Sequence, residues 1–381
     1  MRILLTGARG FMGWHTRLHL HALTDHEVVP VGREEWADLP ALVADADAVI
    51  HIAGVNRARD DAGDLSPEEQ VNQGNVRLAQ DLADAVRAAG KPVRVVYANS
   101  IQSGNGTPYG TGKQRAGEVL REAVEASGGH LTEVMLPNLF GEHGRPYYNA
   151  FTPTFIDKVL KGETPEINDN AVNLLHAQKA AATLLEGLET EQTVLEPKGE
   201  DVGVQQVWDL LVEFHESYAG RGEIPDLSTD FRIDLFNTYR AALFPEHYPI
   251  QLTPHADDRG FFVETVRCAG GQGQSSISTT VPGITRGEHY HLSKIERFAV
   301  VQGTARMSLR KMFTDEILDF HVTGEETTAV DMPVGWVHNI TNTGDDTLIT
   351  QFWVHEFFDP ENPDTFPEPV RPATDAEENA R

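Results

Sequence analysis

The sequence predicts two folded parts, an α/β domain built on a doubly wound parallel sheet and, after it, an all-β barrel. Apolar runs alternate with helical stretches in the first half, whereas short glycine-punctuated alternating segments fill the second half. The length of 381 residues also favours two domains, because single cores rarely grow beyond about 250–300 residues. We place the first domain, with a small substrate subdomain and linker, at residues 1–243, the second at 244–370 and a disordered tail at 371–381.

The strands of the first half are predicted from short apolar runs, which are typical of buried parallel strands. These runs are Arg2–Thr6, Glu27–Val31, Ala48–Ile52, Val93–Ala98 and Leu131–Leu136. Apolar residues at helical spacing predict helices at Val76–Ala89 and Lys113–Glu125. Strands that alternate with helices indicate βαβ units and a Rossmann-like sheet.

The turn after the first predicted strand carries three glycines and opens a helix. Such a turn lets the backbone approach a pyrophosphate that faces the positive end of the helix. A merely flexible turn is the alternative. The predicted dinucleotide contacts in this turn are Gly7, Arg9, Gly10, Phe11, Met12 and Gly13.

The choice of cofactor is predicted from the end of the second strand. Enzymes that use NAD place an acid there, which binds the ribose hydroxyls. Here Val31 runs into Gly32 and Arg33, so a cation stands where the acid is expected. Arg33, helped by Arg9, suits the extra phosphate of NADPH, and a solvated surface arginine is the alternative. NADPH is the predicted cofactor.

Three residues of the first half suit the reduction of a ketone. Ser100 ends the fourth strand, and Tyr109 and Lys113 lie four residues apart on one helix face. Hydride transfer leaves an alkoxide, which Tyr109 can protonate if the charge of Lys113 lowers its pKa, while Ser100 holds the carbonyl oxygen. A helix-surface pair is the alternative for Tyr109 and Lys113. Ile101 and Gln102 stand where a dehydratase needs two acids, so simple reduction is predicted.

These residues resemble the extended, sugar-nucleotide branch of the short-chain dehydrogenase/reductase superfamily over residues 1–188. The resemblance also rests on His51–Gly54, Asn75–Val76 and Pro137–Gly141. It implies that Ser100, Tyr109 and Lys113 are catalytic. It implies further cofactor contacts at Ala53, Gly54, Pro137 and Asn138, and a substrate contact at Asn75.

Four residues of the second half have the types and spacing of a metal site. His289 and His291 point the same way on a strand, and Glu296 and His338 arrive from neighbouring strands. Three imidazoles and one carboxylate can bind a divalent transition metal, and zinc is the first choice. A pair of histidines two residues apart also occurs on ordinary exposed strands, which is the alternative.

The second half resembles cupins, whose two motifs correspond to Gly283–Gly303 and Pro333–Asn342. Asp257–Glu264 and Gly283–Gly287 resemble the sugar 3,5-epimerase branch of that family. The resemblance implies proton removal next to a C4 ketone, assisted by the metal, with substrate contacts at Arg259 and Arg286. The base stays open among Lys294, His321 and His355.

As a whole, the chain resembles the CapF-type capsular polysaccharide synthesis enzymes. The resemblance includes Pro146–Asn149, where it implies a substrate contact at Asn149, and the late Phe358–Pro360 segment. It implies a homodimer joined through the cupin parts and a UDP-linked 4-keto-6-deoxy-HexNAc substrate. That sugar would be epimerised at C3 in the cupin and reduced at C4 with NADPH, giving a UDP-N-acetyl-6-deoxy-talosamine for capsule or O-antigen.

Two other functions fit the same residues. One is a single-activity NADPH keto-sugar nucleotide reductase, or an epimerase of the same superfamily, whose cupin only dimerises the chain. The other is a sensor that binds nucleotide sugar or NADPH without turnover, which the intact Ser100, Tyr109 and Lys113 argue against.

Charge and composition exclude several classes of protein. A formal net charge of −27 argues against nucleic acid as a partner. No apolar run approaches the roughly 20 residues of a membrane span, and the first residues lack the pattern of a signal peptide, so no membrane insertion is expected. A single cysteine, Cys268, fits a reducing compartment, and we expect a cytoplasmic protein.

Overall fold

The computed structural model describes residues 1–58 and 66–372, which form two compact units. The N-terminal unit comprises Met1–Lys158 and Thr164–Val207, and the C-terminal unit comprises Val159–Glu163 and the chain from Trp208. The predicted disorder of the tail lies outside the described residues, apart from Arg371 and Pro372. Every helix of the described ranges is too short or too polar to traverse a bilayer.

The N-terminal unit is built on a parallel sheet with the strand order β2-β1-β3-β4-β5-β8, and a smaller sheet has the order β6-β7-β9. The strands are β1 (Arg2–Thr6), β2 (Glu27–Val31), β3 (Ala48–His51), β4 (Arg94–Ser100), β5 (His130–Leu136), β6 (Asn138–Phe140), β7 (Ala171–His176), β8 (Val194–Leu195) and β9 (Glu200–Gly203). The helices up to the start of the C-terminal unit are α1 (Phe11–Leu23), α2 (Leu39–Asp45), α3 (Pro67–Ala89), α4 (Pro108–Ala126), α5 (Phe151–Leu160), α6 (Ala177–Glu186) and α7 (Val204–Phe214). The predicted doubly wound α/β fold is confirmed.

Helices cover both faces of this sheet. Successive strand residues point to opposite faces, so Val49 packs in one apolar cluster and its neighbour Ile50 in the other. The cluster around Val49 takes Leu82 of α3, and the cluster around Ile50 takes Leu184 of α6. All four residues of β3 are buried, which explains why its sequence is an apolar run without alternation.

The C-terminal unit contains two antiparallel five-stranded sheets, with the orders β11-β20-β17-β22-β15 and β19-β18-β21-β16-β23. Its strands are β10 (Ile224–Asp226), β11 (Ile250–Gln251), β12 (His255–Asp257), β13 (Gly260–Phe262), β14 (Cys268–Gly270), β15 (Gln274–Thr280), β16 (Thr285–Tyr290), β17 (Glu296–Gln302), β18 (Thr304–Lys311), β19 (Ile317–Thr323), β20 (Thr328–Met332), β21 (Trp336–Asn342), β22 (Leu348–Val354) and β23 (Phe366–Pro367). Paired antiparallel sheets of this kind make a cupin-type β domain, as predicted.

A helix, α8 (Asp230–Leu243), packs on this β domain. Asn237 Nδ2 donates to the carbonyl of Ser293 at 2.7 Å, and the buried Arg240 donates to the carbonyl of Met332 at 3.3 Å. The compact C-terminal unit therefore includes the segment from Trp208, whereas the boundary predicted from sequence falls after residue 243. The predicted boundary followed the change of sequence texture, which cannot show on which unit a connecting helix packs.

A buried ion pair secures the segment before α8 to the same β domain. Arg297 and Asp331 face each other on β17 and β20, with Nε···Oδ1 at 2.7 Å, and both are at most 1% exposed. Tyr218 donates to Asp331 Oδ2 at 2.6 Å, and Arg297 also donates to the carbonyl of Gly222 at 2.7 Å. A buried charge pair needs such additional hydrogen bonds to offset its desolvation, which ties the segment to the sheet.

Candidate active site and metal centre

The glycine turn lies between β1 and α1, where it is predicted. Gly7 has φ +70° and donates its N–H to the carbonyl of Val31 at 2.9 Å. A Cβ on Gly13 would lie 2.1 Å from the carbonyl oxygen of Gly7, so only glycine lets the first turn of α1 approach this closely. The cap residue, Gly10, has no side chain to bond the free N–H groups of α1. This turn therefore fits a dinucleotide pyrophosphate, and Phe11 and Met12 begin the helix.

Arg9 and Glu35 form an ion pair beside the end of β2. Arg9 Nη2 lies 2.6 Å from Glu35 Oε1, and Gly32 N donates to Glu35 Oε2 at 2.8 Å. The Arg9 guanidinium, followed by the Gly32 N–H, lowers the pKa of Glu35 to about 2. The prediction that no acid lies at the end of β2 is therefore wrong. No acid follows Val31 directly in the sequence, but the turn after Gly32 brings the Glu35 carboxylate back to the end of the strand. Arg33 is exposed and forms no ion pair within the described residues.

The loop after β3 is tied to its neighbours by two side chains. Thr6 Oγ1 accepts from the N–H groups of Ile52 and Ala53, both at 3.2 Å. Asn75, on α3, accepts from Val55 N at 3.1 Å and donates to Val55 O at 2.7 Å. A Cβ on Gly54 would lie 3.1 Å from Asn75 Oδ1. Asn75 therefore holds the Ala53–Gly54–Val55 turn, and its predicted contact with substrate stays a prediction.

The candidate catalytic residues come from β4 and α4. Ser100 is the last residue of β4, and Thr107 caps α4 by accepting from Gly110 N at 3.1 Å, which places Tyr109 in the first helical turn. The buried Lys113 donates from Nζ to the carbonyl of Ala98 at 2.6 Å and lies 4.5 Å from the ring centroid of Tyr97. The fold thus brings Ser100, at the end of β4, next to Tyr109 on α4, as predicted from the sequence.

The electrostatics of this group differ from the prediction. Burial raises the pKa of Tyr109, and a hydrogen bond with Ser100 only partly opposes that rise. Burial also lowers the pKa of Lys113 to about 7, against the attraction of Glu133. The expected lowering of the Tyr109 pKa by Lys113 is therefore wrong for this structure, because Lys113 Nζ is directed to the Ala98 carbonyl. The raised pKa keeps the Tyr109 phenol protonated, which is the form a proton donor needs.

A polar network behind Ser100 was missed from the sequence. Asn99 Oδ1 accepts from the N–H of Ser100 at 2.8 Å, and Asn99 Nδ2 donates to Glu133 Oε2 at 2.6 Å. Glu133, buried on β5, also binds Arg121. The network fixes the backbone of Ser100. Its Glu133 carboxylate also partly opposes the burial that lowers the pKa of Lys113. A glutamate inside an apolar strand run, Leu131–Leu136, was the available signal.

The remaining predicted contacts lie on more exposed parts of the two units. Pro137 and Asn138 link β5 to β6, and Asn138 Nδ2 donates weakly to Asn173 O at 3.4 Å. Asn149 is exposed in the segment before α5. In the C-terminal unit, Arg259 is 85% exposed and pairs with Asp257 in the β12–β13 hairpin. Arg286 donates to Thr280 Oγ1 at 3.1 Å. These five residues stay predicted contacts.

The four predicted metal ligands converge in the C-terminal unit. The candidate ligand atoms of His289, His291, Glu296 and His338 all lie within 4.8 Å of one another. Glu296 Oε2 is 3.1 Å from His291 Nε2 and 3.3 Å from His338 Nε2. His289 and His338 are directly paired across β16 and β21, after a bulge between Gly287 and His289. The bulge sets the direction of His289, which periodicity alone could not reveal.

The donor set has the chemistry that a divalent metal requires. His338 Nδ1 lies 3.1 Å from the carbonyl of Trp336, a contact that places the proton on Nδ1 and directs the lone pair of the buried Nε2 at the other ligands. That Nε2 has no hydrogen-bond partner of acceptable geometry. Burial, with His338 and His291 nearby, lowers the pKa of His289 to about 3. A neutral imidazole with an unused buried nitrogen fits a metal ion, and zinc takes this set of donors.

The carboxylate of Glu296 balances these imidazoles. Burial acts to raise the pKa of Glu296, but the adjacent His291 and His338 hold it well below its usual range. Burial likewise acts to lower the pKa of His291, but Glu296 and then Asp364 raise it. The raised pKa of His291 makes its proton harder to displace by a cation, so the affinity for metal should fall as the pH is lowered.

Asp364 organises the metal centre from the C-terminal segment, and the sequence did not reveal it. Its carboxylate accepts from the N–H groups of Leu292, Ser293 and Lys294 at 2.8, 2.9 and 2.7 Å. Its backbone carbonyl accepts from His291 Nδ1. One residue thus fixes both the ring of His291 and the loop that leads to Glu296.

Replacement of Asp364 by alanine is expected to weaken metal binding about 10- to 100-fold, the usual cost of losing a residue that orients a ligand. Three backbone N–H groups lose their acceptor, so the loop after His291 loses its fixed path. The affinity would be measured by competition between the protein and a zinc chelator of known strength. Asp359→Ala, in the same segment but bonded only within residues 359–362, is the matched control. Equal affinities in both variants would contradict this role.

The three candidate bases differ in their surroundings. Lys294 is buried and donates to the carbonyl of Pro363, so its ammonium supports the same segment as Asp364. His355 Nδ1 accepts from Ile295 N at 3.0 Å, and burial lowers its pKa to about 4, so this imidazole is neutral at ordinary pH. His321 is exposed on β19. The lone pair of His355 Nδ1 is already engaged by the Ile295 N–H, so the base stays open among the three.

The fold and the Ser100, Tyr109 and Lys113 group define the N-terminal unit as an NAD(P)-binding reductase-type domain. The family described as "NAD dependent epimerase/dehydratase family" matches residues 3–194, and "Polysaccharide biosynthesis C-terminal domain" matches residues 255–366. A "UDP-2-acetamido-2,6-beta-L-arabino-hexul-4-ose reductase" of Pseudomonas aeruginosa is 33% identical over 96% of this chain and 98% of that protein.

Solved structures resemble the chain over nearly its whole length. The crystal structure of "capsular polysaccharide assembling protein CapF" from Staphylococcus aureus is 33% identical, with a TM-score of 0.62, over 97% of this chain and 100% of that chain. A CapF structure with the inhibitor 3-isopropenyl-tropolone is 30% identical, with a TM-score of 0.57, over the same shares. The chain belongs to the CapF-like family of capsular polysaccharide enzymes, in which an epimerase/dehydratase domain precedes a polysaccharide biosynthesis C-terminal domain.

Proposed function

We propose that the protein is a bifunctional sugar-nucleotide enzyme that makes a precursor of capsular polysaccharide or O-antigen. The N-terminal unit reduces a C4 ketone, and the C-terminal unit epimerises C3 of the same sugar. The observation that carries this proposal is that each unit brings a set of candidate reactive groups together. Ser100, Tyr109 and Lys113 converge in the first, and three histidines and a glutamate converge in the second.

The proposed substrate is a UDP-linked 4-keto-6-deoxy-HexNAc, and the product is a UDP-N-acetyl-6-deoxy-talosamine. The relative from Pseudomonas aeruginosa is named as a reductase of a UDP-2-acetamido hexul-4-ose, which is a ketone of this kind. Since 33% identity extends over 96% of the chain, its activity is the best guide to this one.

In the reductase unit, the glycine turn and the N-terminus of α1 would hold the pyrophosphate of the cofactor. The bound cofactor supplies the hydride. Ser100 hydrogen-bonds the ketone oxygen, and Tyr109, protonated because burial raises its pKa, donates the proton that the oxygen needs. Lys113 contributes a positive charge beneath the site, and Asn99 holds the backbone of Ser100 in place.

In the cupin unit, His289, His291, Glu296 and His338 would hold a divalent cation, with zinc as the first candidate. The bound metal supplies a positive charge that polarises the ketone next to C3. The protein must also supply a base, which we place among Lys294, His321 and His355, and a group that returns the proton on the opposite face. Arg259 and Arg286 are the proposed substrate contacts.

NADPH is the proposed cofactor. NADH is the alternative, and the position of Glu35 is the observation in its favour. The Glu35 carboxylate lies at the end of β2, where an acid binds the ribose hydroxyls, and it occupies the guanidinium of Arg9. A 2′-phosphate would have to displace Glu35 from Arg9, whereas the exposed Arg33 can meet the phosphate directly. Comparison of kcat/KM for the two cofactors decides between them.

Glu35→Gln is expected to raise kcat/KM for NADPH roughly two- to fivefold and to lower it for NADH, because an exposed ion pair contributes only modestly. The neutral amide releases Arg9 for the phosphate and removes the repulsion between two anions. Initial rates with each cofactor would measure the change. Glu34→Gln, an exposed neighbour 3.9 Å from Arg9, is the control and should change both values less. A fall in NADPH use by the Glu35 variant would contradict the proposed arrangement.

We also propose a cytoplasmic homodimer joined through the cupin part. Phe261 and Phe262, on the β12–β13 hairpin, are 57% and 64% exposed, and Ile277, on the edge strand β15, is 72% exposed. Apolar side chains on a hairpin and a sheet edge favour contact with another chain. Sedimentation at several protein concentrations tests the dimer.

A reductase with a purely structural cupin is the second candidate. It agrees with the relative's printed name, which mentions only reduction. The test is incubation of the protein with the UDP-4-keto-6-deoxy-HexNAc in deuterium oxide without NADPH, followed by NMR at C3. Entry of deuterium supports the bifunctional enzyme. If no deuterium enters C3 but NADPH is consumed once it is added, the protein is a reductase with a single activity. If neither NADPH nor NADH is consumed with any keto-sugar, both candidate functions are overturned.

A further inference from the structure

We propose that Arg57 and Arg145, held together by Tyr148, bind the diphosphate of the sugar nucleotide. This inference rests on the proposed function, because it assigns a part of the substrate to a further site on the reductase unit. Neither arginine belongs to the residues predicted from the sequence.

The two arginines lie on loops that meet above the reactive strand. Arg57 follows β3, and Arg145 and Tyr148 lie between β6, which continues from β5, and α5. In the sheet, β3 and β5 flank β4, whose last residue is Ser100. Arg57 Nη1 donates to the carbonyl of Tyr147 at 2.6 Å, so the two loops touch. Because β3, β4 and β5 are parallel, the start of the Arg57 loop, the end of β5 and Ser100 lie at one edge of the sheet.

Tyr148 holds both guanidinium groups beside one aromatic ring. The Cζ atoms of Arg57 and Arg145 lie 6.0 and 5.6 Å from its ring centroid. A guanidinium beside an aromatic ring keeps N–H donors in its own plane for an anion, and two such groups match the oxygens of a diphosphate. Tyr148 is therefore a positioning residue, and the arginines are the contacts.

These arginines have no acidic partner within the part of the chain that the structure describes. Arg57 and Arg145 are both exposed, and within residues 1–58 and 66–372 no carboxylate forms an ion pair with either. Arg2, Arg9 and Arg94, by contrast, all pair with acids. Two adjacent cations without an acid favour a ligand that brings its own negative charge.

The loop that carries Tyr148 is held in place before any ligand arrives. Tyr147 donates from its hydroxyl to Asp157 Oδ2 at 2.5 Å, and its N–H donates to Thr154 Oγ1 at 2.9 Å. Both partners lie on α5. The carbonyl that receives Arg57 is thus anchored to a helix, which lowers the entropy lost when an anion binds.

Two diphosphate-containing ligands meet this unit, and the topology separates them. The glycine turn follows β1, on one side of β3, and suits the dinucleotide pyrophosphate. The arginine pair lies on the loops after β3 and β6, and the β3 loop leaves the sheet at the same edge as Ser100, beside which the ketone must lie to be reduced. We therefore assign the arginine pair to the UDP part of the substrate and not to the cofactor.

The test is calorimetric titration of the full-length protein with UDP, UMP and NADPH. The Arg57→Gln/Arg145→Gln double variant is expected to bind UDP at least 30-fold more weakly, and each single variant about 10-fold, as for lost charge-assisted hydrogen bonds. The preference of the protein for UDP over UMP should largely disappear in the double variant, while the Kd for NADPH stays within about twofold. Arg115→Gln, an exposed arginine of α4, is the matched control and should leave all three affinities unchanged.

Tyr148→Leu tests the positioning role. It is expected to weaken UDP binding about threefold to fivefold, and Tyr148→Phe should restore the binding because the ring is kept. Unchanged UDP affinity in the arginine double variant overturns the assignment. A loss of NADPH binding as large as the loss of UDP binding in both single variants also overturns it. Turnover by the wild type is measured separately. If the arginine variants lose UDP binding but the wild type reduces no keto-sugar, the proposed function is overturned and this site stands. If the wild type reduces a keto-sugar but the variants bind UDP normally, the proposed function stands and this site is overturned.

Discussion

Tyr109→Phe is expected to slow ketone reduction about 100- to 10,000-fold, the range that a positioned general acid contributes. The ring stays in the first turn of α4, so binding of NADPH should change less than about twofold. Only the phenolic proton, which burial keeps in place by raising the pKa, is removed. Single-turnover measurements of nicotinamide absorbance with a keto-sugar nucleotide would isolate the chemical step. A rate within tenfold of the wild type would show that another group donates the proton.

The pH dependence of the same step identifies the cation behind Tyr109. Burial lowers the pKa of Lys113 to about 7, so its positive charge is present below that pH and is lost above it. The rate should therefore decline as the pH rises through about 7. Lys113→Met should remove this decline together with most of the activity. Tyr97→Phe, a neighbouring ring that does not enter the chemistry, should keep the decline and serves as the control.

His338→Ala is expected to weaken metal binding by more than about 100-fold and to abolish exchange of the C3 proton with deuterium oxide. The buried Nε2 of His338 is directed at Glu296 and satisfies no other group, so its loss leaves the carboxylate with fewer partners. The metal content would be measured by mass spectrometry of the purified protein and the exchange by NMR. Reduction of a sugar that already has the C3 configuration of the product should continue, because the reductase residues are untouched.

Matched controls separate this effect from damage to the fold. His321→Ala removes an exposed imidazole of the same β domain and should retain the metal. If His338→Ala loses the metal but still exchanges the C3 proton at the wild-type rate, the metal is not needed for exchange and its role is structural. Retention of metal by His338→Ala would show that the four side chains do not form the binding site. Loss of exchange in both variants, with metal retained by His321→Ala, would identify His321 as the base for C3.

Local patterns in the sequence were sufficient for the fold class and for most reactive groups. Fully buried strands such as β3 appear as apolar runs, and the three glycines mark a turn that a Cβ at Gly13 would obstruct. The spacing of Tyr109 and Lys113 needs only helical periodicity. The four candidate metal ligands follow from two motifs, one running from β16 into β17 and the other at β21.

Contacts between distant segments escaped that reasoning. Asp364 lies some seventy residues beyond the loop that it holds, and Glu133 reaches Ser100 only through the neighbouring strand. Arg57 and Arg145 become neighbours because the loop after β3 touches the loop between β6 and α5. Each of these contacts depends on which strands are adjacent, a property of the whole sheet that no short window contains.

The chain's own sequence determined the two kinds of fold and the glycine turn, and it supplied the candidate catalytic and metal-binding side chains, since these depend on periodicity and spacing within single elements. Tertiary structure alone decided the protonation of Tyr109 and Lys113, the position of the Glu35 carboxylate and the unit on which α8 packs. The physical reason is that burial and the distances between charges set a pKa, and both arise only when remote segments pack together.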